Sequence, residues 1–262
     1  VFVRSPDGTR VPATIVARRD LPSGPRPTVL YGYGGFNVSL LPGYSTARTA
    51  WLEAGGVYVV ANLRGGGEYG EAWHLAGTRL NKQNVFDDFI AVAEWLVEEG
   101  VTTPRQLAIW GGSNGGLLVG AVAQQRPELF AAAVPAVGVL DMLRYQTASA
   151  NARQWSSDYG LSENADEFAA LYAYSPYHNL QPGTCYPATL VMADANDDRV
   201  VPWHSYKYAA ALQFAQGCDN PVLIRVETNT GHGAGASTSK IINVYADQWA
   251  FVAAKTGLKL AD

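Results

Sequence analysis

The sequence predicts an α/β fold with a mainly parallel central sheet, helices on both faces and an N-terminal antiparallel hairpin. Three observations carry this expectation. Short apolar runs at residues 28–31, 57–61, 107–110, 131–134, 189–193 and 222–226 recur with helix-length segments between them, and strands covered on both faces read as continuous apolar runs. The first seventeen residues hold two strand-like stretches around Pro6-Asp7-Gly8, a turn sequence. Finally, 262 residues that are 48% hydrophobic and 16% charged can bury one substantial core, so residues 1–262 are expected to form a single domain.

Taken in order, residues 1–10 and 11–17 form the hairpin, and the Pro/Gly-rich segment 22–27 leads into the strand at 28–31. A second buried strand follows at 57–61. Residues 85–99 are the clearest helix: Val85, Phe89, Ile90, Ala93, Leu96 and Val97 share a face, Asp87 and Asp88 load the first turn, and Gly100 follows. The strand 107–110 precedes a glycine-rich turn and a helix-compatible run at 117–123. Residues 143–177 have the weakest periodicity and read equally as a substrate-facing excursion or a surface helix pair. A polar loop, 194–202, follows the strand 189–193, and residues 239–254 close the chain as a helix with Ile241, Tyr245, Trp249 and Val252 in line.

Composition excludes several classes. A net charge of −4 with no basic stripe argues against nucleic acid as a partner. No stretch approaches the about 20 apolar residues that span a membrane, and residues 1–10 lack a signal-peptide pattern. A soluble chain is expected, with the cytoplasm ranked ahead of the periplasm. Cys185 and Cys218 are too few for a disulfide framework and lack zinc or redox spacing, so both are expected to be semi-buried thiols. No metal or organic cofactor is implied.

The chemistry is concentrated at Gly111-Gly112-Ser113-Asn114-Gly115, which matches G-x-S-x-G between a strand and a helix. A sharp turn there presents a serine hydroxyl, and only small neighbours fit beside it. Ser113 is the candidate nucleophile. A serine needs a histidine to take its proton and a carboxylate to orient that histidine. In α/β-hydrolases the chain order is Ser, acid, His, and His178, His204 and His232 lie downstream. His232, in Thr230-Gly231-His232-Gly233-Ala234-Gly235, follows the last strand and is the candidate base; His178 and His204 read as capping or surface-packing residues. Asp197 and Asp198 lead for the acid, and the residues alone do not separate them or exclude a solvated turn pairing with Arg199. For the oxyanion, the backbone N–H of Asn114 is one expected donor, and the hydroxyl of Tyr33, in the loop after the strand 28–31, is the other.

These residues resemble the catalytic domain of the prolyl oligopeptidase family of serine peptidases. The matching blocks include Leu30-Tyr31-Gly32-Tyr33-Gly34-Gly35-Phe36-Asn37, residues 61–70, Asn81-Lys82-Gln83-Asn84, residues 111–118, 125–130 and 174–179, residues 197–202 and residues 231–235. The resemblance implies an α/β-hydrolase fold and hydrolysis of short proline-containing oligopeptides on the carboxyl side of proline. It implies Ser113 as nucleophile, Asp197 as orienting acid, His232 as base, and Tyr33 and Asn114 as the oxyanion hole. Trp155 is implied to stack on the substrate proline, with Phe36, Tyr159, Val134 and Val139 lining the pocket and Arg199 binding a substrate carbonyl. It further implies an upstream β-propeller, absent from this chain. The acidic loop departs from the family's pattern, its earlier acid, Asp194, being displaced by one position. Alternatives on the same scaffold are a carboxylesterase, an acylaminoacyl-type peptidase or a non-catalytic binding domain.

Overall fold

The computed structural model describes residues 1–233 and 235–259; Ala234 and residues 260–262 lie outside them. Eight strands form one sheet: β1 (Phe2–Arg4), β2 (Arg10–Val16), β3 (Thr28–Gly32), β4 (Val57–Ala61), β5 (Leu107–Gly112), β6 (Ala132–Ala136), β7 (Ala188–Asp194) and β8 (Val222–Glu227). Their order is β1-β2-β4-β3-β5-β6-β7-β8. β1 and β2 pair antiparallel, as does β2 with β4, and the remaining neighbours are parallel. This is the α/β-hydrolase fold expected above.

Helices α1 (Thr46–Glu53), α2 (Glu71–Leu75), α3 (Gln83–Glu98), α4 (Asn114–Gln125), α5 (Ser156–Tyr159), α6 (Ala165–Tyr174), α7 (Trp203–Ala215) and α8 (Thr238–Thr256) complete the chain with short 3-10 turns. α3 buries Val85, Phe86, Phe89, Val92 and Leu96 along one stripe, each contributing roughly 1.5–3 kcal/mol. With α4 it covers one face of the sheet. The other face is sealed by α1 and α8, where Trp51 and Trp249 meet with ring centroids 5.3 Å apart.

Strand direction positions the site. From β3 the chain crosses to β4 on one side and later to β5 on the other, so the order reverses between β3 and β5. Ligands bind outside the carboxyl ends of strands at such a switch point. The turn after β3 carries Tyr33 and the turn after β5 carries Ser113.

Two expectations are overturned. Cys185 and Cys218 are not free thiols but a disulfide with Cα atoms 5.1 Å apart; a parallel bridge between Thr184 and Gln216 brings their segments together across 33 residues of sequence. His204 is not a capping or surface residue. It is fully buried in the first turn of α7, where its Nδ1 accepts the Asp141 N–H at 3.1 Å.

Candidate active site

Ser113 sits between β5 and α4 with φ 59° and ψ −117°, a region that non-glycine residues occupy only under strain. The surroundings enforce it. Ser113 N donates to Ala136 O at 2.9 Å, and Ser113 O accepts from Gly116 N at 2.9 Å. A Cβ on Gly111 would lie 2.5 Å from Gly115 O, and one on Gly116 would lie 2.6 Å from Gly138 Cα. Strand, turn and helix are therefore packed backbone to backbone. Gly112 is different: an added Cβ meets nothing nearer than 3.9 Å.

Asn114 begins α4, so its N–H has no carbonyl partner within the helix and is available to an anion. Its side chain spans to the turn after β3, Nδ2 donating to Tyr33 O at 2.5 Å while Oδ1 accepts from the Tyr159 hydroxyl at 2.9 Å. The Tyr33 hydroxyl lies beside the Ser113 side chain on the same cavity. Burial raises the Tyr33 pKa, and the negative charge of Asp158 adds to the effect, so the phenol stays protonated as a donor.

The two aspartates separate cleanly. Asp197 is buried and Asp198 is exposed. Asp197 Oδ1 accepts the backbone N–H groups of Arg199 and Val200 at 3.0 and 2.9 Å, leaving Oδ2 for His232 Nδ1 at 2.5 Å. Asp194 holds the same turn, accepting from the Thr230 hydroxyl at 3.1 Å, and burial pushes its carboxyl up. Among the hydrogen bonds of the described residues, Ser113 is not joined to His232. The loop that carries His232 has Gly233 and Gly235 at φ 66° and 81°, backbone that lets the ring approach.

A cavity of about 380 Å³ opens beside Ser113. Tyr33, Phe36, Val139, Trp155, Tyr159 and Arg199 line it, residues that the family resemblance implies around the site. Phe36 and Tyr159 meet edge to face at 5.3 Å, and Trp155 lies parallel to Tyr145 at 6.2 Å. Val134 is not there. The two-residue period of β6 turns Val134, with Ala132 and Ala136, onto the face covered by α8. Val200 takes a place in the wall that sequence reasoning did not assign, together with Asn151 and Gln154. Its signal was adjacency: Val200 N donates to Asp197, so the loop that holds Asp197 also delivers the valine.

The segment 143–177 folds back over the switch point, carrying Trp155 and Tyr159 to the cavity. It contributes a further missed residue, Asp158, whose Oδ1 accepts Phe36 N–H at 2.7 Å and whose Oδ2 lies 3.2 Å from His74 Nε2. Lys82 is another: buried at the residue preceding α3, it donates from Nζ to Gly34 O at 2.9 Å. Among the described residues no group of three metal-ligating side chains is assembled, and no helix is long and apolar enough to cross a membrane.

Comparison with known proteins places this geometry in context. The profile of the prolyl oligopeptidase family matches residues 42–259. A prolyl endopeptidase of Elizabethkingia meningoseptica is 51% identical over 261 residues, covering 99% of this chain and 37% of the relative. A prolyl endopeptidase of Dictyostelium discoideum is 46% identical, covering 99% of this chain and 35% of its own length. The solved structure of a post-proline cleaving enzyme from Rickettsia typhi superimposes with a TM-score of 0.94 at 35% identity, over 99% of this chain and 37% of that one. The chain thus spans just over a third of the length of the curated relatives it matches.

Proposed function

The chain belongs to the prolyl oligopeptidase family, and from that premise we propose that it is the catalytic domain of a serine peptidase that hydrolyses short peptides on the carboxyl side of proline. The observation that carries this reading is the strained Ser113 on the rim of a cavity walled by Phe36, Val139, Trp155, Tyr159 and Val200. A proline ring offers a flat apolar body with no N–H to satisfy, and aromatic and branched walls match it. Among the described residues, Arg199 is the one charged group on the lining. It repels a basic side chain and suits a carbonyl oxygen.

Chemistry follows from the same groups. Asp197 holds the His232 Nδ1–H, leaving Nε2 as the base. In this reading Nε2 takes the Ser113 hydroxyl proton, and Oγ bonds to the prolyl carbonyl carbon. The carbonyl electron pair moves onto oxygen, which the Tyr33 hydroxyl and the Asn114 N–H receive. Nε2 then returns the proton to the departing amine, leaving an acyl-Ser113 ester. Water repeats the sequence, giving its proton to Nε2, and Ser113 recovers a proton as the acid leaves.

In this reading residues 1–262 form one peptidase unit, and the β-propeller implied by the resemblance accounts for the greater length of the relatives. The disulfide favours an oxidising compartment over the cytoplasm, since cytosolic thiols are kept reduced.

A panel of p-nitroanilides sharing one blocked leader and ending in Pro, Ala or Arg tests the specificity. Proline is expected to lead in kcat/KM by at least ~100-fold, and Trp155→Ala to reduce that lead ~10-fold or more, a loss of about 1.4 kcal/mol or more of aromatic contact. Equal rates on all three, or a lead untouched by Trp155→Ala, would contradict the pocket assignment.

A further inference from the structure

The turn 33–36 that offers the Tyr33 hydroxyl is gripped by buried charges that the reaction itself does not use. Lys82 is 1% exposed, and its Nζ donates to Gly34 O at 2.9 Å, with the Tyr159 ring centroid 5.4 Å away. On the other side of the turn, Asp158 is 2% exposed and takes the Phe36 N–H. Asn114 holds the remaining end through Tyr33 O. The turn needs such restraint because Gly34, Phe36 and Asn37 all have positive φ, at 63°, 57° and 56°, and strained non-glycine backbone persists only where its surroundings over-determine it.

We propose that Lys82 is a positioning residue for the reaction: its ammonium, balanced by Asp158, holds the turn so that the Tyr33 hydroxyl stays aimed at the oxygen developing on the Ser113 adduct. Among the described residues the buried ammonium of Lys82 makes one hydrogen bond, to Gly34 O; burying a charge so sparsely partnered is costly, and an apolar side chain of similar length would fill the space more cheaply. The charge therefore serves the turn rather than stability. Burial lowers the Lys82 pKa to about 8 while the Asp158 carboxylate draws it back up, so the ammonium remains the main form at neutral pH. The group facing Lys82 from α5 is Asp158, which in turn meets His74 from α2.

This inference rests on the proposed Ser113 site but not on proline. The test is a double-mutant cycle of Lys82→Met and Tyr33→Phe in the intact protein, read on both a prolyl p-nitroanilide and a simple p-nitrophenyl ester. Lys82→Met is expected to lower kcat ~10–100-fold with KM changed by less than ~3-fold, the scale of a misplaced catalytic group. In the Tyr33→Phe background the same substitution is expected to cost less than ~3-fold, because the group it positions is already gone. Equal losses in both backgrounds, or a raised KM with kcat unchanged, would overturn the proposal. If Lys82→Met fails to fold, Asp158→Asn, which keeps an acceptor for Phe36 N–H, replaces it in the cycle under the same criteria. Ester turnover without amide turnover would sink the post-proline reading while the ester cycle still decides the role of Lys82. A folded protein with no Ser113-dependent turnover of either substrate would overturn both.

Discussion

Asp197 and Asp198 are adjacent carboxylates with opposite surroundings, and the difference is electrostatic geometry rather than residue type. Asp197 is buried with its Oδ1 filled by two backbone donors, so its Oδ2 can only meet His232. Asp197→Asn would keep the backbone bonds but present N–H₂ to Nδ1, fixing the ring in the wrong tautomer. We expect kcat to fall ~10⁴-fold with the fold intact. Asp198→Asn, exposed and outside that bond, is expected to stay within roughly twofold; steady-state kinetics on both variants checks the assignment, and equal effects would contradict it. At this scale the strained turn at Ser113 and the pairing of the glycine-flanked His232 with an aspartate were readable, because both are tied to local motifs. Val134 and Val200 were not. Which face a valine takes depends on strand register for Val134 and on a loop anchored by a distant carboxylate for Val200.

At the scale of elements, the turn between β5 and α4 depends on backbone proximity, and its glycines are not equivalent. Gly116→Ala would drive a methyl group to 2.6 Å from Gly138 Cα and 2.7 Å from Ala136 O. Gly112→Ala has open space. Urea unfolding should show a loss of about 1–3 kcal/mol or more for Gly116→Ala and roughly 0.5 kcal/mol or less for Gly112→Ala; similar values for both would show that the close packing is not what shapes the elbow. Strands β3 to β8 were legible to within one or two residues because each follows an apolar run, as was α3 with its broad apolar stripe. α1 buries only Trp51, so no periodic stripe marks it in the sequence. The segment 143–177 was illegible for a different reason. Its order comes from partners far along the chain, Asp158 with Phe36 and Tyr159 with Asn114, which no local pattern records.

For the molecule as a whole, topology brings Ser113, the turn that carries Tyr33 and the cavity beside them to one switch point, while Asp197 and His232 arrive from loops after β7 and β8. The disulfide lies on that same β7–β8 side, fastening the segment before β7 to the one after α7. Replacing Cys185 and Cys218 by serine is expected to lower unfolding free energy by about 2–4 kcal/mol, and reductant is expected to destabilise the native protein to the same degree but leave the double variant unchanged. A native protein insensitive to reductant would show that the bond does not contribute. The central claim is that Ser113 attacks the carbonyl of a proline residue. The most direct measurement is the turnover of a blocked Gly-Pro chromogenic amide by the protein and by its Ser113→Ala variant. The account predicts steady turnover that falls by roughly 10⁴–10⁶-fold in the variant; turnover that survives the substitution, or a folded protein that leaves the prolyl amide intact, would contradict it.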